Sequence, residues 1–78
     1  MTPISPETIR EIIQSQLLNG RTIGLDEDLL LSGLLDSLGV MALVGHLETL
    51  RGDPIPHQDI LIENFQTVSA IAGYLNNG

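Results

Sequence analysis

Apolar residues recur at helical spacing in three stretches of the chain. In the first, Ile9, Ile12, Ile13 and Leu17 repeat every three or four positions, which marks one buried helix face. Ser5 precedes them as an N-cap, Pro6 takes the first helical position, Glu7 lies in the first turn and Asn19-Gly20 supplies a stop. Helix one is therefore predicted over Pro6 to Leu18. In the second stretch, Val40, Leu43, Val44, Leu47 and Leu50 fall on one arc of roughly 120° and predict the core face of a helix. That helix opens at Ser37 behind the cap Asp36 and closes at Arg51-Gly52, with Leu38, Met41, Ala42, Gly45 and Thr49 on the outward side. In the third, Thr67 caps a last helix that turns Val68, Ile71, Ala72 and Leu75 inward and is expected to fray at Asn76-Asn77-Gly78.

The connections differ in kind. Residues 19–36 carry Gly20, Gly24, Gly33 and the acidic run Asp26-Glu27-Asp28, yet also Ile23, Leu25, Leu29, Leu30, Leu31, Leu34 and Leu35. A connection so rich in leucine must lie across the helices and bury several side chains, and long loops of this kind are often functional. Asp53-Pro54-Ile55-Pro56 reads as a turn or extended stretch, and Ile60 to Ile62 as one or two further helical turns. Phe65 and Tyr74 are expected in the core or at its edge. No strand pattern competes, so the class is all-α, with a long loop between helices one and two and a short third helix.

The whole chain, 78 residues, suits one domain spanning 1–78. A chain this short buries only roughly 60% of the surface it exposes when unfolded, which leaves little room for a large internal active site. Hydrophobic residues make up 42% of it, too many for a disordered tail. Ten acidic residues face three arginines and no lysine, for a formal charge of −7. Nucleic acid and anionic membrane surfaces are excluded as partners by that balance, whereas a partner with a basic patch is favoured. Without cysteine there is no disulfide, thiolate metal site or cysteine nucleophile. No stretch reads as a signal peptide or membrane span, and the protein is expected to be a cytoplasmic monomer.

One segment carries candidate chemistry: Gly33-Leu34-Leu35-Asp36-Ser37-Leu38, at the joint between the leucine-anchored loop and helix two. A serine there is held on a rigid element and offers its hydroxyl to another enzyme, and Asp36 beside it is suited to orienting a metal-bound cofactor. On the residues alone, Asp-Ser at a helix start is usually just an ordinary cap. The segment resembles the phosphopantetheine attachment motif of acyl and peptidyl carrier proteins. The order of helices matches that family, as does the run Glu63-Asn64-Phe65-Gln66-Thr67-Val68 with Ala70-Ile71-Ala72. The resemblance covers residues 8 to 75.

The resemblance implies a four-helix bundle of acyl-carrier type. It implies a non-catalytic chain whose Ser37 receives 4′-phosphopantetheine from coenzyme A through a phosphopantetheinyl transferase. Cargo would then be held as a thioester and passed between loading, acyl-transferring or condensing enzymes. Helix two is the usual docking element in that family, which points to Leu38, Met41, Ala42, Gly45 and Glu48 as the partner face. Fatty-acid carriers place several acids there; this chain shows Gly39, Ala42 and Gly45. The glycines each cost roughly 1 kcal/mol relative to alanine, which suggests close approach by a partner or by the arm. A carrier from a polyketide or nonribosomal-peptide pathway looks more similar than one from fatty-acid synthesis, and the Gly-Leu-Leu-Asp-Ser run also resembles small aminoacyl carriers. An unmodified helical interaction module using the same face is the competing function. His46, about 13 Å along the helix from Ser37, is too distant to activate it and reads as a surface side chain or a partner contact. His57 and the acids 26–28 read as solvated, the latter lacking calcium-loop spacing.

Overall fold

The computed structural model describes residues 3–77. Among them every regular element is helical, in the order α1 (Pro6–Ile12), α2 (Ser37–Arg51), α3 (Ile62–Phe65) and α4 (Val68–Asn77). The fold is a helical bundle of acyl-carrier type: α1 and α3 both pack on α4, and α2 packs on the turn that prolongs α1.

α1 starts as its sequence dictates. Ser5 Oγ accepts from the Thr8 amide at 3.2 Å, and Pro6 occupies the first turn, where its missing N–H is not needed. The predicted helix over 6–18 is instead α-helical only to Ile12 and continues as a wider π-turn over Ile13–Leu17. The cause lies at its end. Asn19 and Gly20 both take positive φ, 54° and 86°. The reversed chain aims the Gly20 amide at the Gln14 carbonyl (2.6 Å) while Leu18 bonds Ile13 (3.0 Å), loosening the last turn. Ile9 and Ile13 are buried beneath it.

The loop 19–36 does lie across the bundle. Ile23, Leu29 and Leu35 enter the same core as the helices. Its backbone is tied down by Gln14 Oε1, which accepts from Ile23 N at 2.9 Å, and by the Gln66 carbonyl, which accepts from Leu29 N at 2.7 Å. On α2, Leu43, Val44 and Leu47 are buried and Val40 is half-buried. Leu50, expected on the same face, is 39% exposed. The chain leaves α2 at Gly52, and buried Ile55, its amide held by Glu48 Oε2 at 2.8 Å, seals that end of the core instead.

The short third helix falls later than expected. His57–Asp59 form a 3₁₀ turn, Ile60 sits in a tight turn that lets the Leu61 amide donate to the Asp59 carbonyl, Leu61 is extended, and α3 is Ile62–Phe65. Val68, Ile71, Ala72 and Leu75 of α4 are all buried, and Thr67 Oγ1 caps the Ala70 amide at 3.0 Å. The expected fraying does not reach Asn76: its Oδ1 accepts from Ile4 N and its Nδ2 donates to Ile4 O, both at 2.9 Å. Asn77 completes the helix, and Gly78 lies outside the described residues. Phe65 is 1% exposed and Tyr74 is half-buried. No helix among the described residues is long and apolar enough to cross a membrane.

Candidate functional site

Ser37 is the first residue of α2 and is exposed. Two sets of contacts hold it in place. Behind it, Leu35 is buried and its amide donates to the Leu29 carbonyl at 2.8 Å. Beside it, Asp36 takes an extended conformation and its Oδ1 accepts from Gly39 N at 2.7 Å. The Ser37 and Leu38 amides, first and second in the helix, point out of its N-terminus with no partner among the described residues. Asp36 Oδ2 is likewise free of partners among them.

Upstream, Asp28 organises the approach to the serine. Its Oδ1 accepts from the amides of Leu30 (3.0 Å) and Leu31 (2.8 Å), and its Oδ2 from Gln66 Nε2 (3.0 Å). Its carbonyl accepts from Ser32 Oγ. The Gln66 hydrogen bond, aided by the loop amides and opposed by partial burial, holds the Asp28 carboxyl below its ordinary value. Asp28 is thus a built-in loop cap and not the solvated acid its run suggested. Gly33 then turns the chain at φ 83°, a conformation costly for a side-chain-bearing residue.

A cleft of about 510 Å³ opens beside Ser37. α2 contributes Val40 and Met41, the loop Leu30 and Leu35, and the opposite wall Ile60, Leu61, Ile62 and Phe65, with Asp36 and Ser37 at the rim. Its surroundings are unusually apolar for a surface: Leu31 is 72% exposed, Leu38 81%, Met41 49%, Leu61 46% and Ile62 57%. Contiguous exposed apolar residues of this sort mark a binding surface more often than isolated ones do. A shallower depression of about 370 Å³ at the other end of α2, among Gly45, Glu48, Thr49 and Pro54, is open to solvent and distant from the serine.

Of the sequence-derived site residues, the structure brings Asp36, Ser37 and Met41 to one cleft. Leu38, Ala42 and Gly45 are exposed on the outward side of α2. Gly39, read as outward with them, is half-buried: a Cβ there would stand 3.3 Å from both Asp36 Oδ1 and Leu35 Cδ2. Glu48 is half-buried and engaged with Ile55 N. His46 and His57 are exposed, and no group of three metal-ligating side chains occurs among the described residues. Sequence reasoning missed the far wall. Its signal was Ile60-Leu61-Ile62, three consecutive apolar residues that no single buried face can absorb.

A family model described as a phosphopantetheine attachment site matches residues 7–75. The chain belongs to this carrier family. The D-alanyl carrier protein of Streptococcus suis (strain 98HAH33) is similar, 35% identical over 65 residues that cover 83% of this chain and 82% of the relative. No solved structure matches. As a carrier the protein is non-catalytic, bears covalent 4′-phosphopantetheine and is itself the substrate of a phosphopantetheinyl transferase. Its partners include that transferase and acyl-handling enzymes. The residues present fit the group: an exposed hydroxyl at a helix N-terminus, unpartnered amides beside it, and an apolar cleft within the same rim.

Proposed function

We propose that Ser37 is the residue that carries the arm, and that the protein presents a short acyl or aminoacyl group on it. The observation that carries this reading is the exposed Ser37 hydroxyl at the opening of α2, on the rim of the apolar cleft. When bound, the arm supplies the thiol that this cysteine-free chain lacks, and with it thioester chemistry.

The chain's own residues do the positioning. Asp36 caps α2 through one carboxylate oxygen, fixing the backbone at Ser37, and keeps the other to help orient the donor during transfer. A phosphodiester on Ser37 Oγ would lie against the Ser37 and Leu38 amides, at the positive end of the helix dipole, a placement worth about 0.3–1 kcal/mol. Buried Leu35 and the Asp28 cap hold the preceding loop, so the hydroxyl meets its transferase in one orientation. Docking falls to Leu38, Met41, Ala42 and Gly45, which present no carboxylate. Glu48, the acid of that helix, is bound to Ile55 N. Apolar contact therefore outweighs charge at this face, which disfavours the fatty-acid type. A polyketide or nonribosomal-peptide setting suits the acid-poor face, and the likeness to a D-alanyl carrier protein supports an aminoacyl cargo.

The test is intact-protein mass spectrometry with coenzyme A and a broad-specificity transferase. Wild type should gain about 340 Da, the mass of the carried phosphopantetheinyl group, and Ser37→Ala should gain nothing while keeping its helical circular-dichroism spectrum. A gain that survives Ser37→Ala, or none in wild type, sinks the assignment. Full biological activity of Ser37→Ala would favour an unmodified interaction module. Loading of the arm by a D-alanine-activating ligase, in preference to fatty-acyl donors, would identify the cargo class.

A further inference from the structure

The far wall of the cleft rests on an element that cannot hold itself. α3 has four residues, too few for a helix to be stable on its own hydrogen bonds, and Leu61 gives it no side-chain cap. Something else must fix it, and three contacts converge on Asp59. Its carbonyl accepts from Asn64 Nδ2 and from the Leu61 amide, both at 2.9 Å. Its carboxylate Oδ2 accepts from the Tyr74 hydroxyl of α4 at 2.7 Å.

Tyr74 is placed to act as a junction. Its ring lies 5.8 Å from that of Phe65, tilted by 48°, so it touches the residue that ends α3 and lines the cleft. The Arg51 guanidinium lies over the same ring, 5.7 Å from its centre. Arg51 ends α2, about 21 Å along the helix from Ser37 at 1.5 Å per residue. One α4 side chain thus joins the end of α2, the 3₁₀ turn before α3 and α3 itself. Partial burial and the Asp59 hydrogen bond raise the hydroxyl's pKa above its ordinary value of 10.0, so the O–H stays a donor across the neutral range.

We propose that Asp59 and Tyr74 form a clasp that fixes α3 against the bundle and thereby sets how far the cleft beside Ser37 stands open. Both are positioning residues: they act on whatever enters the cleft through Ile60, Leu61, Ile62 and Phe65. Only the consequence for cargo rests on the reading of Ser37 given above; the clasp belongs to the chain without its arm. Opening it removes one hydrogen bond and leaves Phe65 as the main anchor of α3. The wall then detaches locally while α1 and α2 stay folded, as expected for an element with few buried contacts.

Tyr74→Phe tests this, since it deletes the hydroxyl and keeps the ring. In hydrogen exchange of the apo-protein, the hydrogen-bonded amides of Leu61, Asn64 and Phe65 should exchange about tenfold faster than in wild type, with the protection of α1 and α2 unchanged. Asp59→Asn, which keeps an acceptor for Tyr74, should stay near wild type, and Asp59→Ala should match Tyr74→Phe. An unchanged rate at those three amides, or an equal increase in every helix, overturns the clasp. A second measurement uses a pantetheine analogue bearing an environment-sensitive fluorophore, loaded by a transferase. Its emission should be red-shifted in Tyr74→Phe relative to wild type, and identical spectra overturn the effect on the cleft. If wild type accepts no analogue, the Ser37 reading and the cargo consequence fall together, while the exchange result still decides the clasp.

Discussion

Two glycines inside α2 look alike in sequence and differ in space. At Gly39 an added methyl would press on the Asp36 carboxylate and on Leu35, each 3.3 Å away; at Gly45 it would meet nothing within 4 Å. Glycine in a helix interior costs about 1 kcal/mol relative to alanine. Gly45→Ala should therefore raise the unfolding free energy by about 1 kcal/mol in urea titrations. Gly39→Ala should gain clearly less or lose, because Leu35 or the cap must shift. The pair separates two uses of a missing side chain. Gly39 makes room for the cap beside the proposed attachment serine. Gly45 serves nothing within the chain, which agrees with its proposed place on a docking face. The sequence shows both as helix glycines and Asp36-Ser37 as a helix start. Which glycine has a neighbour depends on Leu35, and Leu35 is placed by the loop's tertiary packing.

At the scale of elements, local signals and distant ones part company. The caps Ser5, Asp36 and Thr67 act within three residues of themselves, and the Val68, Ile71, Ala72, Leu75 face of α4 repeats at helical period; these features were legible. Asp28 is different: its partner Gln66 lies 38 positions away, and nothing local distinguishes it from Asp26 and Glu27. The position of α3 was misread for a similar reason, since Asp59 and Tyr74 fix it from outside. The sign of the Asp28 effect on stability follows from its lowered carboxyl pKa. Its contribution is fully present above the unfolded-state value of 3.8 and is lost as pH falls below that, through the lower folded-state value. Asp28→Asn should destabilise the protein at pH 7 and flatten the further loss on acidification below pH 4. Urea midpoints at pH 7, 4 and 3 measure it; parallel pH profiles for variant and wild type would contradict it.

For the whole molecule, the core is small and each large member counts. Phe65 is the chain's one phenylalanine, 1% exposed, and it touches the core, the cleft and Tyr74. Phe65→Ala should cost about 3–5 kcal/mol, a large share of the roughly 5–15 kcal/mol by which a domain is stable. A thermal melt should lose its sharp transition, whereas Phe65→Leu should keep it at a lower midpoint. The charge of −7 is likewise a property of the whole surface: it is not gathered on the outward face of α2, where Leu38, Met41, Ala42 and Gly45 stand. The loop before the serine has a further consequence. With Leu29 and Leu35 sunk in the core and Asp28 stapling its backbone, the polypeptide offers no swivel at that point. Delivery between enzymes must then come from the span of the appended group and the tumbling of the entire protein, so enzymes using this carrier need active sites within one arm's length of where its body lands.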